Sequence, residues 1–239
     1  MATKHGKGLA VLINSLVLSQ YFNSADVSRS CDAAEDTAFG DSFKSYIPGL
    51  HDGSISLAGM WDPAASATDA TLSTLLGLDT TIVSVLLEGA TVGGRAKIAK
   101  VAQASYDVSA PVGDLVTAAA EMPADGGVWG GDVLLAGSAV TSTGTGTSVN
   151  NGVATTEGWL ANLHITATSG TPTVTFKLAD SADDSSFADV TGGGFTAATT
   201  TGSEQIGSGT GTVRQYARAA YTVSGGSPSM TAYIILARR

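Results

Sequence analysis

Apolar and polar positions alternate in short runs along most of the 239 residues, the period of a half-buried strand. The cleanest stretch is 54–61, Ser-Ile-Ser-Leu-Ala-Gly-Met-Trp, which places Ile55, Leu57 and Trp61 on one buried face. Upstream, apolar runs at 8–11 and 16–18 flank Asn14-Ser15, a spacing that predicts a hairpin. The segment 25–38 is polar and extended, with Val27, Cys31, Ala33 and Thr37 spaced by two or four. A turn is predicted at Phe39-Gly40-Asp41, and a second at Asp52-Gly53. After Asp62-Pro63 the period changes. Leu72, Leu75 and Leu76 predict a short helix over 69–78, capped by Thr68 or Ser66 and weakened near its end by Gly77. Strands resume at 81–87, 97–106, 114–120 and 133–135.

Residues 138–157 carry no charge before Glu157 and are rich in Ser, Thr, Gly and Asn, the composition of a linker. This divides the chain into a first domain at 1–139, a linker at 140–156 and a second domain at 157–239. In the second, strand patterns at 159–166, 173–178, 213–223 and 230–236 alternate with turn clusters at 169–170, 181–186, 192–194 and 224–228. Short strands at that spacing predict an all-β sandwich. One helix among many antiparallel strands makes the first domain α+β, a two-sheet β-sandwich or barrel with a flanking helix. The fold class is mainly β.

Charged residues make up only 14% of the chain, while 43% is hydrophobic, so cores can form and the surface is unusually rich in small residues. Net charge is −9, and it is unevenly spread. Up to residue 140 there are seven basic residues against fifteen acids, a net of −8; beyond it there are five against six, a net of −1. Such an N-terminal surface disfavours neutralising contacts with nucleic-acid phosphates. It suits a surface that DNA passes without adhering. Cys31 is the single cysteine, so no intrachain disulfide or cysteine metal cluster can form. The first twenty residues lack the uninterrupted apolar core and cleavage site of a secretion signal, and no run approaches a membrane span. The expectation is a soluble protein made in a cytoplasm.

Catalytic chemistry is poorly served. A nucleophilic triad needs a His beside a Ser or Cys with an acid behind it. His5, His51 and His164 are scattered, no Gly-x-Ser-x-Gly elbow occurs, and Cys31 sits among acids, not beside the basic groups that activate a thiol. Asp180, Asp183, Asp184 and Asp189 offer hard oxygen ligands for calcium, without the spacing of an EF-hand; solvated Asp-bearing turns account for them better. The Gly-Gly pairs lack the Lys-Ser/Thr or G-x-G-x-x-G context of a phosphate loop. The expectation is therefore no enzyme, no cofactor and no metal. What stands out is acid placement: Asp26, Asp32, Glu35, Asp36 and Asp41 follow one another along a single extended segment. Asp26, Asp32 and Asp36 are spaced to share a face of an unbroken strand.

The order of these pieces resembles the tail tube (major tail) proteins of long-tailed bacteriophages, siphophages of actinobacteria in particular. The likeness is carried by KHGKG, the hairpin, YFNSADVSR, the D-x-A-E-D-T-x-F-G-D stretch and Y-I-P-G-L-x-D-G-S-I-S-L-A-G. It continues through the short helix to S-A-P-V-G-D-L-V and A-D-G-G-V, and into SADDSSFADV and V-R-Q-Y-A-R-A-A-Y-T-V. None of these is a chemical signature. The resemblance implies a tail-tube-type fold, hexameric rings stacked into a hollow tube that conducts DNA, and a C-terminal module on the tube exterior. It implies a lumen lined by Asp26, Asp32, Glu35, Asp36 and Asp41, with assembly through Tyr46, Ile47, Pro48, Gly49, Leu50, Ile55, Leu57 and Trp61. Partners would be further copies, tape measure, terminator and distal tail proteins, and DNA in transit, with no membrane. The place of action would be the virion tail. An adhesion or decoration β-sandwich that binds cell-surface glycans is the alternative from another class.

Overall fold

The computed structural model describes residues 6–40 and 42–238. Lys4, His5 and Asp41, which figure in the readings above, lie outside them. The elements are β1 (Ala10–Ile13), β2 (Leu16–Val17), β3 (Phe22–Glu35), β4 (Tyr46–Met60), α1 (Thr68–Leu75), β5 (Thr81–Leu86), β6 (Arg95–Val101), β7 (Ser105–Ser109) and β8 (Thr117–Val140). They continue with β9 (Gly144–Thr145), β10 (Val149–Asn150), β11 (Trp159–Ser181), β12 (Ala188–Gly194), β13 (Gly202–Ser208) and β14 (Tyr216–Arg238). The fold is mainly β, all strand pairs between these elements are antiparallel, and α1 is the one α-helix among the described residues.

Strand β8 belongs to two sheets. Its first part, Thr117 to Pro123, pairs with β4 on one side, and the stretch from Thr117 to Glu121 pairs with β7 on the other, giving a small sheet β3-β4-β8-β7. Its remainder pairs with β6 and then β14 in a large sheet ordered β12-β11-β14-β8-β6-β5-β1-β2. Between the two parts lie Gly126 and Gly127 at φ +79° and +82°, a backbone that glycine adopts without strain. The register against β6 shifts over the same stretch, so the strand turns a corner there.

The two sheets face each other across one apolar core. Val11, Ile13, Val83, Val85 and Ala99 from the large sheet meet Ile55, Leu57, Ala120 and Met122 from the small one, with Leu72 and Leu75 of α1 closing the side. A second core, built on Trp159, Phe176, Leu178 and Leu236, fills the C-terminal part. A third joins them: Leu12, Leu86, Ile98 and Val133 pack against Ile235 and Ala237.

Long strands replace several predicted short ones. The stretch 121–132 continues β8 instead of forming a loop, and 97–106 divides into β6 and β7. The predicted turns at 169–170 and 224–228 are bends inside β11 and β14, which pair with each other from Trp159–Arg238 to Ser181–Tyr216. Gly170, Gly225 and Ser227 all have positive φ, so the two strands kink together without reversing. Glycine-rich punctuation reads the same for a turn and for a paired bend. The segment 140–156 is not free chain either, since β9 and β10 both pair with β14. Helix α1 starts after Ala67 without a side-chain cap. Thr68 Oγ1 instead donates to Met60 O and accepts the Asp62 N–H, both at 2.9 Å, which fastens the helix start to the end of β4.

Candidate assembly site

Strands β3 and β4 outrun their sheet. From Ser54 to Met60, β4 is flanked by β8, but from Tyr46 to Gly53 it pairs with β3 alone. Every described residue from Ser28 to Asp52 is exposed. The pair forms a projecting two-stranded arm, and a ribbon of that kind is marginally stable alone in water. Its tip and flanks carry large apolar side chains that no described residue covers: Phe39, Phe43, Tyr46, Ile47 and Leu50 are all exposed, Leu50 at 80%. A second exposed group, Val108, Val112 and Leu115 with Met60, lies at the opposite end of the small sheet.

Both edges of that sheet are open. Among the described residues, β3 pairs only with β4, and β7 only with β8. Unpaired edge strands invite pairing with another chain.

The predicted assembly residues divide along the hairpin. Tyr46, Ile47, Pro48, Gly49 and Leu50 lie on the exposed arm. Ile55 and Leu57 belong to the internal core, buried against Met122 and α1, and Trp61 is half-buried at the end of β4. Alternation marks a buried face but cannot tell whether the covering surface comes from the same chain or another.

The acids also divide. Asp26 faces away from the core with Ser24 and Ser28, while Ala25 and Val27 face inward. A register shift between Cys31 and Ala33 sits on β4, where Gly49 and Leu50 together oppose Asp32. The alternation of β3 therefore carries Asp32 to the Asp26 face and Glu35 to the other one. Glu35 also pairs with Lys44 at 2.8 Å. Asp36 follows the end of the strand, its N–H donating to Ser45 O.

Two carboxylates that sequence reasoning missed join Asp26 on the outer face: Glu121 of β8 and Asp107 of β7. Each takes a hydroxyl hydrogen bond, Ser24 to Asp26 at 2.7 Å, Ser56 to Glu121 at 2.6 Å and Ser105 to Asp107 at 3.1 Å. No Lys or Arg occupies an outward position of the four strands where they pair, so the face keeps its negative charge. The signal was present as Ser and acid two apart in 24–26 and 105–107, but only the pairing of β7, β8 and β4 brings these acids together with Glu121.

The inner side of the arm base differs. A cleft of about 900 Å³ opens between it and the β8 corner, lined by Arg29, Cys31, His51, Gly126, Gly127, Trp129 and Arg238. Asp52 also lines it, with its Oδ1 held by the Gly53 N–H at 2.7 Å.

The remaining candidate chemistry is dispersed or sealed. His164 is fully buried, and its Nδ1–H donates to Asn14 O at 2.6 Å. Its Nε2 then accepts from Ser84 Oγ at 2.7 Å. This Ser–His pair has no acid behind it and no solvent in front of it; burial pushes the imidazole pKa down to about 4. Asn162 donates to Ser84 Oγ at 3.1 Å and to Val83 O at 3.2 Å, completing a polar seam between β5 and β11.

In the acidic C-terminal loop, Asp183 accepts from the Ser181 hydroxyl and from the Ser185 and Ser186 amides, bonds that hold its pKa below the usual carboxylate range. Asp180 is taken by Arg214 and Asp189 by Lys177. Among the described residues no three His, Cys, Asp or Glu side chains converge on a metal-sized site.

No protein-family model and no curated protein sequence matches the chain. Among solved structures, a chain of the virion of the native gene transfer agent particle is 15% identical, with 53% of this chain and 97% of that one covered at a TM-score of 0.42. A chain of the sheath/tube terminator of an extracellular contractile injection system is 15% identical, covering 54% and 97% at a TM-score of 0.45. The Dit protein of SPP1, from an adsorption apparatus in phages infecting Gram-positive hosts, is 14% identical, covering 95% and 98% at a TM-score of 0.36. These are loose likenesses, from which no shared function follows.

Proposed function

We propose that the chain is a structural subunit of a bacteriophage tail, assembling into hexameric rings that stack as the tube through which DNA passes from capsid to host. The observation that carries this reading is the arm: a two-stranded ribbon with both faces exposed, large apolar side chains along it, and open strand edges on the sheet it extends. A chain that ended its life as a monomer would leave this surface wet and prone to aggregation. Edge pairing between copies, β3 of one beside β7 of the next, would close the small sheets into a barrel and remove both edges. The arm and the Val108–Val112–Leu115 group lie at opposite ends of the sheet, the arrangement of a head-to-tail contact that propagates. The outer face with Asp26, Asp32, Asp107 and Glu121 would then line the lumen, with Asp26, Asp107 and Glu121 hydrogen-bonded by serines and the charge repelling DNA phosphates.

In the same reading, residues 1–139 form the tube and 157–239 stand on its exterior. The segment 140–156 joins them while pairing with β14. The protein would act in the virion tail after assembly in the host bacterial cytoplasm, with tape measure, terminator and distal tail proteins as partners and no enzymatic role. Electron microscopy of the purified chain, alone and with a tail-tip initiator complex, tests this. Rings or tubes of constant diameter are expected. A chain that stays monomeric under both conditions and binds cell-surface glycans refutes the assembly reading.

A further inference from the structure

The cleft under the arm pairs basic and aromatic groups in a domain whose net charge is strongly negative. Arg29 lines it and has no carboxylate partner among the described residues, Arg238 lies across from it, and Trp129 forms part of the wall. Arg238 donates to Val153 O and Asn151 O at 2.6 and 2.7 Å, which fixes its guanidinium at the rim. The arm tip has the opposite character. Asp36 is exposed, Phe39 and Phe43 are the most exposed aromatic side chains among the described residues, and none of those residues covers them. A carboxylate beside an aromatic ring on one surface complements a guanidinium beside an indole on the other.

We propose that the cleft is the receptor for the arm tip of a neighbouring copy, with Asp36 meeting Arg29 and the Phe39 ring packing on Trp129. This rests on the reading of the chain as a self-assembling subunit and adds which surface takes the arm. The contact joins two different surfaces, so repeated head to tail it extends an assembly or closes a ring. It also places Cys31, on the cleft lining, beside the incoming Asp36.

That placement supplies the test. In the full chain, Asp36→Cys is exposed to a mild oxidant under assembly conditions and run on a non-reducing gel. The expected result is a ladder of covalent multimers that disappears in the Asp36→Cys/Cys31→Ser double variant, because a disulfide forms only when the two Cα atoms come within about 7 Å. Separately, Arg29→Glu is expected to raise the concentration needed for assembly about tenfold, and adding Asp36→Arg to it is expected to restore most of the loss. Rings or tubes that form without a Cys31-dependent ladder, or that tolerate Arg29→Glu unchanged, overturn the cleft contact while leaving the tube reading intact. A wild-type chain that forms no assembly under any condition, and no ladder in the cysteine variant, overturns both.

Discussion

The two halves of the molecule finish their surfaces to different degrees. Of the thirteen large apolar side chains that stand exposed among the described residues, twelve lie before residue 116 and only Val153 lies beyond it. The small N-terminal sheet has two open edges. The long C-terminal strands β11 and β14 are paired with each other throughout, and each has further strands on its other side. Both halves have low charge and the same small-residue composition, so composition does not separate them. Coverage of the large apolar side chains does. One half covers its large apolar side chains within the fold, and the other leaves them exposed.

The harshest way to test this contrast is to remove one side of it at a time. Excising 157–239 strips β14 from the Gly131–Val140 edge of β8 and uncovers Leu12, Leu86, Ile98 and Val133. The expected outcome is loss of soluble, folded protein, read as a missing cooperative transition by circular dichroism. Replacing 32–50 with a two-residue Asn-Gly turn removes only exposed chain. That variant is expected to stay folded and monomeric, with a thermal midpoint within a few degrees of the parent. If the first truncation folds normally, the C-terminal half is an appendage and the shared third core contributes little.

Single side chains should repeat the pattern at smaller scale. Phe176 is fully buried in the C-terminal core with its ring edge-on to Tyr221, at a centroid distance of 6.3 Å. Phe176→Ala is expected to cost about 3–5 kcal/mol in urea unfolding. Leu50 is 80% exposed on the arm, so Leu50→Ala is expected to change monomer stability by less than about 0.5 kcal/mol while abolishing rings and tubes. A stability loss at Leu50 comparable with that at Phe176 would show that the arm folds back on its own subunit.

Acid should act on the seam that joins the halves. In the unfolded chain His164 titrates near 6.5, whereas in the fold burial lowers its pKa to about 4. The unfolded state therefore takes the proton first as pH falls. The stability due to the neutral imidazole is complete above pH 6.5 and is lost between 6.5 and 4, at about 1.4 kcal/mol per pH unit and about 3 kcal/mol in all. Protonation would also give Nε2 a hydrogen facing Ser84, which already receives the Asn162 amide. Tyr233 and Ser203 pair with His164 across the flanking strands and bring no charge toward it. Urea midpoints measured from pH 7.5 to 4 should fall over that window in the parent and flatten in His164→Gln. A parent curve already flat over that window would mean that the imidazole keeps its solution pKa in the fold.

Much of the architecture was legible in the alternation of apolar and polar positions, because strand faces are written in period two. The hairpin at Asn14, the buried face of Ile55 and Leu57 and the short leucine helix all follow from it. What period two cannot encode is which strands become neighbours. The outer acidic face needed Glu121 and Asp107 beside Asp26, a meeting decided by β8 pairing with β4 and β7 over separations of more than sixty residues in one case. Glu35 left that face because alternation within β3 alone sets it opposite Asp32. The glycine bends at 126–127 and in β11 and β14 carried the same local signal as chain reversals, so one long strand was read as two short ones.

The acidic face itself should be almost silent in stability, which is the smallest effect and the finest test of the contrast. Asp26 accepts one hydroxyl bond from Ser24 and is exposed, so Asp26→Lys removes a solvated charge and a weak local contact, expected to move monomer stability by no more than about 0.5 kcal/mol. The triple change Asp26→Lys, Asp107→Lys and Glu121→Lys places basic groups where no Lys or Arg stands, and should leave ring formation intact. If that face lines a conduit, the change gives the assembled particle salt-dependent affinity for double-stranded DNA that the parent lacks, because each Lys would neutralise a phosphate. DNA retention by assembled tubes, measured by co-sedimentation between 50 and 200 mM salt, distinguishes the cases. Equal retention by parent and variant would show that the face meets no DNA in the assembly, being covered between copies instead of lining a conduit.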